Sequence, residues 1–307
     1  MKIAVMGSGG VGGFFGARLA HGGADVTFVA RGAHLAAMRA NGLAIEGPVP
    51  LHVPRVAATG DPATVGPVDL ILVAVKLWDT ADAIRQMQPM VGPQTGIVSL
   101  QNGVLKDDSL RAAFGARNVM GGVCYIASTI ERPGIIRQTG AMQRLVFGEF
   151  DGSTSTRAQQ FLEACLSGGI VAELSPHIEL EIWQKYVFLV GLSGTTTSMR
   201  ATIGPIRDLP ATRAFLLDVM REVVAVGRAR GIALPEQYAE QRLALMDDLA
   251  AGMSSSMYQD LQRGNRLEVE WLSGGVAALG AAGGVPTPLN RAIADILALH
   301  ATGEPLA

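Results

Sequence analysis

The chain has 307 residues, 49% of them hydrophobic, and 25 basic residues stand against 27 acidic ones for a formal net charge of −2. That length and apolar content are ample for two buried cores and exclude a disordered chain. The near-neutral balance lacks the basic field of a nucleic-acid binder, so nucleic acid is excluded as a partner.

Met1-Lys2 lead directly into an apolar strand pattern, with no basic, apolar and cleavage-site succession of a leader, and the reading is a cytoplasmic enzyme. Short β-branched runs at residues 3–6, 26–29, 70–75, 96–100 and 119–125 predict strands, and residues 10–20, 80–87 and 107–114 predict helices after the first, third and fourth of them. That alternation is the pattern of a parallel α/β sheet. "PGIIRQTGAMQRLVFGEF" reads as an antiparallel hairpin, "STRAQQFLEACLSGG" as a helix, and "IVAEL" as a last strand near Leu174.

After Ser175-Pro176 the β-branched runs give way to long segments of helical spacing, interrupted by "TIGPIRDLP" and "GIALP". The expected division is therefore 1–175 and 176–307, the second part all-helical. The most apolar uncharged window, "WLSGGVAALGAAGGVPTPLN", has too many glycines and prolines for a membrane span and predicts a buried helix ending near Gly283. Cys124 and Cys165 have neither short spacing nor a nearby histidine cluster, so they read as packing residues and no metal is called for.

The stretch "GSGGVG", formed by Gly7, Ser8, Gly9, Gly10, Val11 and Gly12, satisfies G-x-G-x-x-G. It follows a strand and opens a helix, the context in which glycines let a backbone approach a pyrophosphate seated on the helix N-terminus. The first domain therefore reads as a Rossmann dinucleotide-binding domain. An NAD-binding chain would place an acidic residue near the end of the second strand to hold the adenosine ribose. "VTFVARGAH" offers Arg31 instead, whose guanidinium can pair bidentately with a 2′-phosphate, and this favours NADPH. A solvated loop arginine is the alternative.

"LILVAVK" and "GIVSLQNG" each run an apolar strand into one polar residue, Lys76 and Asn102, at the strand end that lines the ligand crevice in open α/β sheets. Either side chain could instead satisfy loop backbone. In "EIWQKYVFLVGLSG", Lys185 stands at the edge of an uncharged run, where a lysine against apolar surface becomes a proton donor of lowered pKa. The alternative is a surface pair with Glu181, four residues earlier. "SSSMYQDLQRGNRLEVEW" supplies Ser256 and Glu268; Ser256 could be only a helix N-cap, with Gln259 completing a capping box, and Glu268 a solvated helix face.

Taken in order, "GSGGVGG", Val75-Lys76, "LQNGV", "EIWQK" and "SSMYQD" with the following glutamate resemble the 2-dehydropantoate 2-reductase, or ketopantoate reductase, family along most of the chain. The resemblance implies a Rossmann domain carrying NADPH, an all-helical second domain, and hydride transfer to the C2 carbonyl of ketopantoate. The product would be pantoate, for pantothenate and coenzyme A synthesis. It implies Lys185 as general acid with Glu268 as acidic companion, Ser256 and Asn102 as substrate-binding groups, Lys76 beside nicotinamide and substrate, and Arg31 on the 2′-phosphate.

The resemblance also implies asparagines four and eight residues after the lysine that hydrogen-bond substrate oxygens. This chain has Leu189 and Ser193 there, on the helix face of Lys185, and a leucine cannot replace an amide. A reductase of a different 2-oxo acid on the same scaffold is therefore the neighbouring reading, and a non-catalytic NADPH-binding sensor the reading from another class. The expected partner is a small-molecule 2-oxo acid, without membrane; a homodimer is compatible with such a chain.

Overall fold

The computed structural model describes residues 1–303. They divide into two compact units, one comprising Met1–Asn102 with Lys106–Glu179, the other Gly103–Leu105 with the residues from Leu180 onward.

The first unit runs β1 (Lys2–Met6), α1 (Gly10–His21), β2 (Asp25–Val29), α2 (Gly32–Asn41), β3 (Leu43–Glu46), β4 (Leu51–Val53), β5 (Ala57–Thr59), β6 (Leu70–Val73), α3 (Thr80–Met87), β7 (Gly96–Ser99), α4 (Leu105–Phe114), β8 (Val119–Arg132), β9 (Ile135–Gly148), α5 (Thr156–Ser167) and β10 (Val171–Leu174). The sheet order is β4-β3-β9-β8-β7-β6-β1-β2-β5, with β10 also paired to β9. From β5 across to β8 all neighbours are parallel.

The chain moves outward from β1 to β2 and β5, then returns to the other side of β1 for β6, β7 and β8. That reversal makes the C-terminal ends of β1 and β6 the topological switch point where such sheets bind ligands. Every residue of β6 and β7 is buried, as expected of strands covered on both faces. Alternate residues divide between two cores: Ile3, Val5, Leu70 and Leu72 pack with Phe14, Phe15 and Phe28, whereas Ala4, Met6, Ile71 and Val73 pack with Met87 and Met90.

Several elements differ from expectation. Residues 133–150 do not form a hairpin of their own. They contribute β9, a single 14-residue strand that pairs antiparallel with the equally long β8 around the turn at Pro133-Gly134. β8 runs on to Arg132, well past the expected end. A helix, α2, follows β2; it buries only Met38 and so lacks the apolar stripe that would reveal it. The short strands β3, β4 and β5 are set by their sheet partners rather than by local pattern.

The second unit consists of α6 (Ile178–Ser198), whose first two residues cluster with the first unit, α7 (Ile203–Asp208), α8 (Pro210–Ala229), α9 (Tyr238–Met246), α10 (Ser256–Gln262), α11 (Ser273–Gly283) and α12 (Pro288–Leu297). Among its described residues there is no strand. The segment expected only to interrupt helices, "TIGPIRDLP", itself holds α7, and α11 ends at Gly283 before the left-handed cap residue Gly284. Among the described residues no helix is long and apolar enough to cross a membrane, and no group of three or more His, Cys, Asp or Glu could hold a metal. Both cysteines are buried thiols.

Candidate active site

In the first unit the candidate residues lie at the C-terminal ends of β1, β2, β6 and β7. Gly7 leaves β1 with φ +94°, and Gly9 stands at the N-cap of α1, a helix with no acidic residue in its first turn. A Cβ on Gly12 would collide with the Gly7 carbonyl, and one on Gly10 with the Ser128 carbonyl; Gly9 faces open space. Ser8 is buried, and both its backbone N–H (3.1 Å) and its hydroxyl (3.0 Å) donate to the Val29 carbonyl at the end of β2. The result is a tight turn, fixed to the neighbouring strand, that aims the unpaired N–H groups of a helix start at an open edge.

Arg31 is the exposed N-cap residue of α2, and its guanidinium makes a long 3.4 Å contact with the Gln86 side-chain oxygen. A cation at a helix N-terminus opposes the helix dipole, a local cost that an anionic ligand would remove. Lys76 is exposed after β6, its ammonium 5.4 Å from the Trp78 ring centre, and Asn102 is partly buried after β7.

Sequence reasoning passed over two groups that hold these loops. The buried Gln101 donates to the Thr80 hydroxyl at 2.8 Å and to the Lys76 carbonyl at 3.5 Å, and accepts from the Ser99 hydroxyl, so it ties the Lys76 loop to the Asn102 loop. Just beyond, the buried Lys106 ammonium donates to both carboxylate oxygens of Asp107 at 2.9 Å and to the carbonyls of Gly122 (3.2 Å) and Ser99 (3.4 Å). Burial pushes the Asp107 carboxyl upward, and the ammonium beside it acts in the opposite sense. The position of Gln101 directly before Asn102 was the available signal; a buried Lys-Asp neighbour pair has none.

In the second unit, Lys185, Leu189 and Ser193 recur at four-residue spacing on α6 and so share a face. Lys185 and Leu189 are partly buried and Ser193 is buried. Two side chains clamp this helix. The Tyr186 hydroxyl donates to the carbonyls of Trp271 (3.0 Å) and Leu272 (2.8 Å). The backbone N–H groups of those same residues donate at 3.1 Å to the carbonyl of Glu268. The turn holding Glu268, whose residue is only 8% exposed, is thereby fastened to the residue next to Lys185.

The second clamp corrects the capping expectation. The N-cap of α10 is Ser255, not Ser256: the buried Ser255 hydroxyl accepts the Tyr258 N–H at 3.0 Å and pairs with the Thr196 hydroxyl of α6, also at 3.0 Å. Ser256 is the exposed first residue of the helix. In a run of three serines only one register lets the hydroxyl reach α6, and sequence alone does not distinguish them.

Comparison with known proteins accounts for the combination. The model of ketopantoate reductase PanE/ApbA matches residues 3–152, and the model of its C-terminal domain matches residues 177–301. The chain belongs to the ketopantoate reductase family. It is 33% identical over 279 residues to the uncharacterized oxidoreductase YkpB of Bacillus subtilis, covering 89% of this chain and 90% of that one. It is 31% identical to 2-dehydropantoate 2-reductase of Mesorhizobium japonicum, with 95% of each chain covered. Among solved structures, the PanE/ApbA family ketopantoate reductase of Ralstonia eutropha JMP134 superposes with a TM-score of 0.88 at 32% identity over 98% of each chain. Membership of the ketopantoate reductase family supports an oxidoreductase that reduces a 2-oxo acid.

Proposed function

We propose that this protein reduces ketopantoate to pantoate with NADPH, using Lys185 as the general acid. The observation that carries the reading is the Tyr186 clamp, which fastens the turn of the buried residue Glu268 to the residue beside Lys185. A carboxylate taken out of water is retained where a cation or a reacting group offsets its desolvation. The glycine turn fits a dinucleotide because the space a Cβ would need at Gly10 and Gly12 is already taken by backbone. Arg31 supports NADPH as an exposed cation at the start of α2, where an anionic group such as a 2′-phosphate would offset its charge.

NADPH, when bound, supplies the hydride. As C2 gains it, negative charge develops on the carbonyl oxygen. The Lys185 ammonium stabilises that charge and donates the proton, leaving a 2-hydroxy acid and a neutral amine that is reprotonated from solvent. Glu268 is the acidic companion of Lys185 in this reading. Asn102 and Ser256 bind substrate oxygens, Lys76 attends the nicotinamide end, and no metal is needed.

A second reading is favoured by one observation. The Ser193 hydroxyl donates within its own helix to the Leu189 carbonyl, so neither position offers an amide to a substrate hydroxyl, which suits a 2-oxo acid without one. Product analysis with NADPH and a panel of 2-oxo acids tests both: pantoate formed with the highest kcat/KM supports the first, preference for an unhydroxylated acid supports the second, and binding without turnover on any member overturns both.

A further inference from the structure

β6 and β7 stay joined as far as Leu100, whose N–H donates to the Val73 carbonyl at 2.8 Å. One step further on, a side chain carries the tie. Gln101 is 7% exposed, and its amide lies in a chain of hydrogen bonds that runs in one direction. The Ser99 hydroxyl donates to Oε1 at 3.0 Å, Nε2 donates to the Thr80 hydroxyl at 2.8 Å, and that hydroxyl donates to the Leu77 carbonyl at 2.7 Å. Nε2 also approaches the Lys76 carbonyl at 3.5 Å. A carbonyl can only accept, so the Lys76 carbonyl fixes which end of the amide faces the β6 loop. Ser99 is itself anchored: it is fully buried, its hydroxyl accepts the Gln101 N–H at 3.2 Å, and its carbonyl accepts the Lys106 ammonium at 3.4 Å.

The bonds converge on the short helical turn Leu77–Asp79, where the Asp79 N–H donates to the Lys76 carbonyl at 2.9 Å. The residues just before that turn support the glycine turn. A Cβ on Gly7 would lie 2.7 Å from the Val75 backbone nitrogen, and one on Gly12 2.9 Å from the Ala74 Cβ. One buried amide therefore joins the loop after β7, which carries Asn102, to the loop after β6, which carries Lys76. Buried as it is, Gln101 acts through the residues on either side of it.

We infer that Gln101 is a positioning residue that holds Lys76 and Asn102 in register with each other, and that breaking its bond to Thr80 costs turnover rather than dinucleotide affinity. The catalytic half rests on the reductase reading above. Groups that act together on one substrate must be held closely, and a misplacement of about 1 Å costs on the order of 10²-fold in rate. The glycine turn keeps its own anchor, the two Ser8 bonds to the Val29 carbonyl, so dinucleotide affinity does not depend on the amide.

The test compares wild type with three single variants. Gln101→Met keeps the length of the side chain and removes both hydrogen-bonding ends, Thr80→Val keeps the shape and removes the hydroxyl, and Thr80→Ser keeps the hydroxyl. Amide hydrogen exchange of residues 77–80 is measured without ligand, alongside the unfolding midpoint, the NADPH dissociation constant, and kcat and KM for the preferred 2-oxo acid. Gln101→Met and Thr80→Val are expected to speed exchange and to lower kcat about 10- to 100-fold, with NADPH affinity near that of wild type. Thr80→Ser is expected to restore both exchange and kcat. The double variant Gln101→Met with Thr80→Val is expected to lose less than the product of the two single losses, because the singles share one bond.

A lowered unfolding midpoint with kcat of the folded protein unchanged would make the amide structural only, and overturns the inference. So does a double variant whose loss equals that product. If Gln101→Met does not fold, the Thr80 pair decides alone, and Thr80→Val indistinguishable from Thr80→Ser overturns the inference. Wild type inert towards every 2-oxo acid defeats the reductase reading and the catalytic half with it, while exchange speeded by Gln101→Met leaves the tie between the two loops standing.

Discussion

The Ser193 hydroxyl donates to the carbonyl oxygen of Leu189, one helical turn earlier, at 2.6 Å. The bond turns two positions on the Lys185 face of α6 into a leucine side chain and a hydroxyl whose proton is already engaged. A surface of that kind discriminates weakly between substrates with and without a hydroxyl, whereas a built hydrogen-bonding site discriminates strongly.

Leu189→Asn should therefore raise kcat/KM for ketopantoate relative to 2-oxo acids lacking the 4-hydroxyl. The expected shift is about 1 to 2 kcal/mol, because one amide is restored while Ser193 stays engaged. Competition kinetics with paired substrates reads it directly. Unmoved relative specificity would mean that Leu189 packs behind the site.

Arg31 at the start of α2 should set the choice of cofactor. Its 3.4 Å approach to the Gln86 side-chain oxygen is too long to hold the guanidinium away from a ligand. In titrations, NADPH should bind far more tightly than NADH. Arg31→Ala should remove most of that preference and leave NADH affinity little changed. Equal affinities in the unmutated protein would contradict the assignment.

The serine run gives a stability prediction with an internal control. Ser255→Ala loses both the cap on the Tyr258 N–H and the partner of the Thr196 hydroxyl, and should destabilise by about 1 to 2 kcal/mol. Ser256→Ala, at an exposed first helical position, should change stability by no more than a few tenths of a kcal/mol. Urea unfolding of the two variants orders them; the reverse order would return the cap to Ser256.

The parallel sheet and its glycine turn were legible because β6 and β7 are buried on both faces and so write unbroken apolar runs into the sequence. The hairpin was misplaced for a physical reason. Thr139-Gly140 carries a turn signal, and Gly140 does have φ +74°, but it sits in an irregular stretch of β9 where the register with β8 shifts between Ile126 and Ser128. The reversal itself lies at Pro133-Gly134. Within the candidate site, strand-end residues such as Lys76 and Asn102 could be read from where apolar runs stop. The Ser255 clamp could not, because its partner Thr196 is 59 residues away and no local pattern announces a contact at that range.

Delivery of the proton to a 2-oxo acid by Lys185 is tested by the kcat of Lys185→Ala against wild type with NADPH and the preferred 2-oxo acid. The expected outcome is a loss of roughly 10² to 10⁴ in kcat, the usual range for removing a general acid, with NADPH affinity and the unfolding midpoint near those of wild type. A Lys185→Ala protein that turns over within about tenfold of wild type would contradict it, and would make Lys185 a surface ion-pair residue rather than the acid.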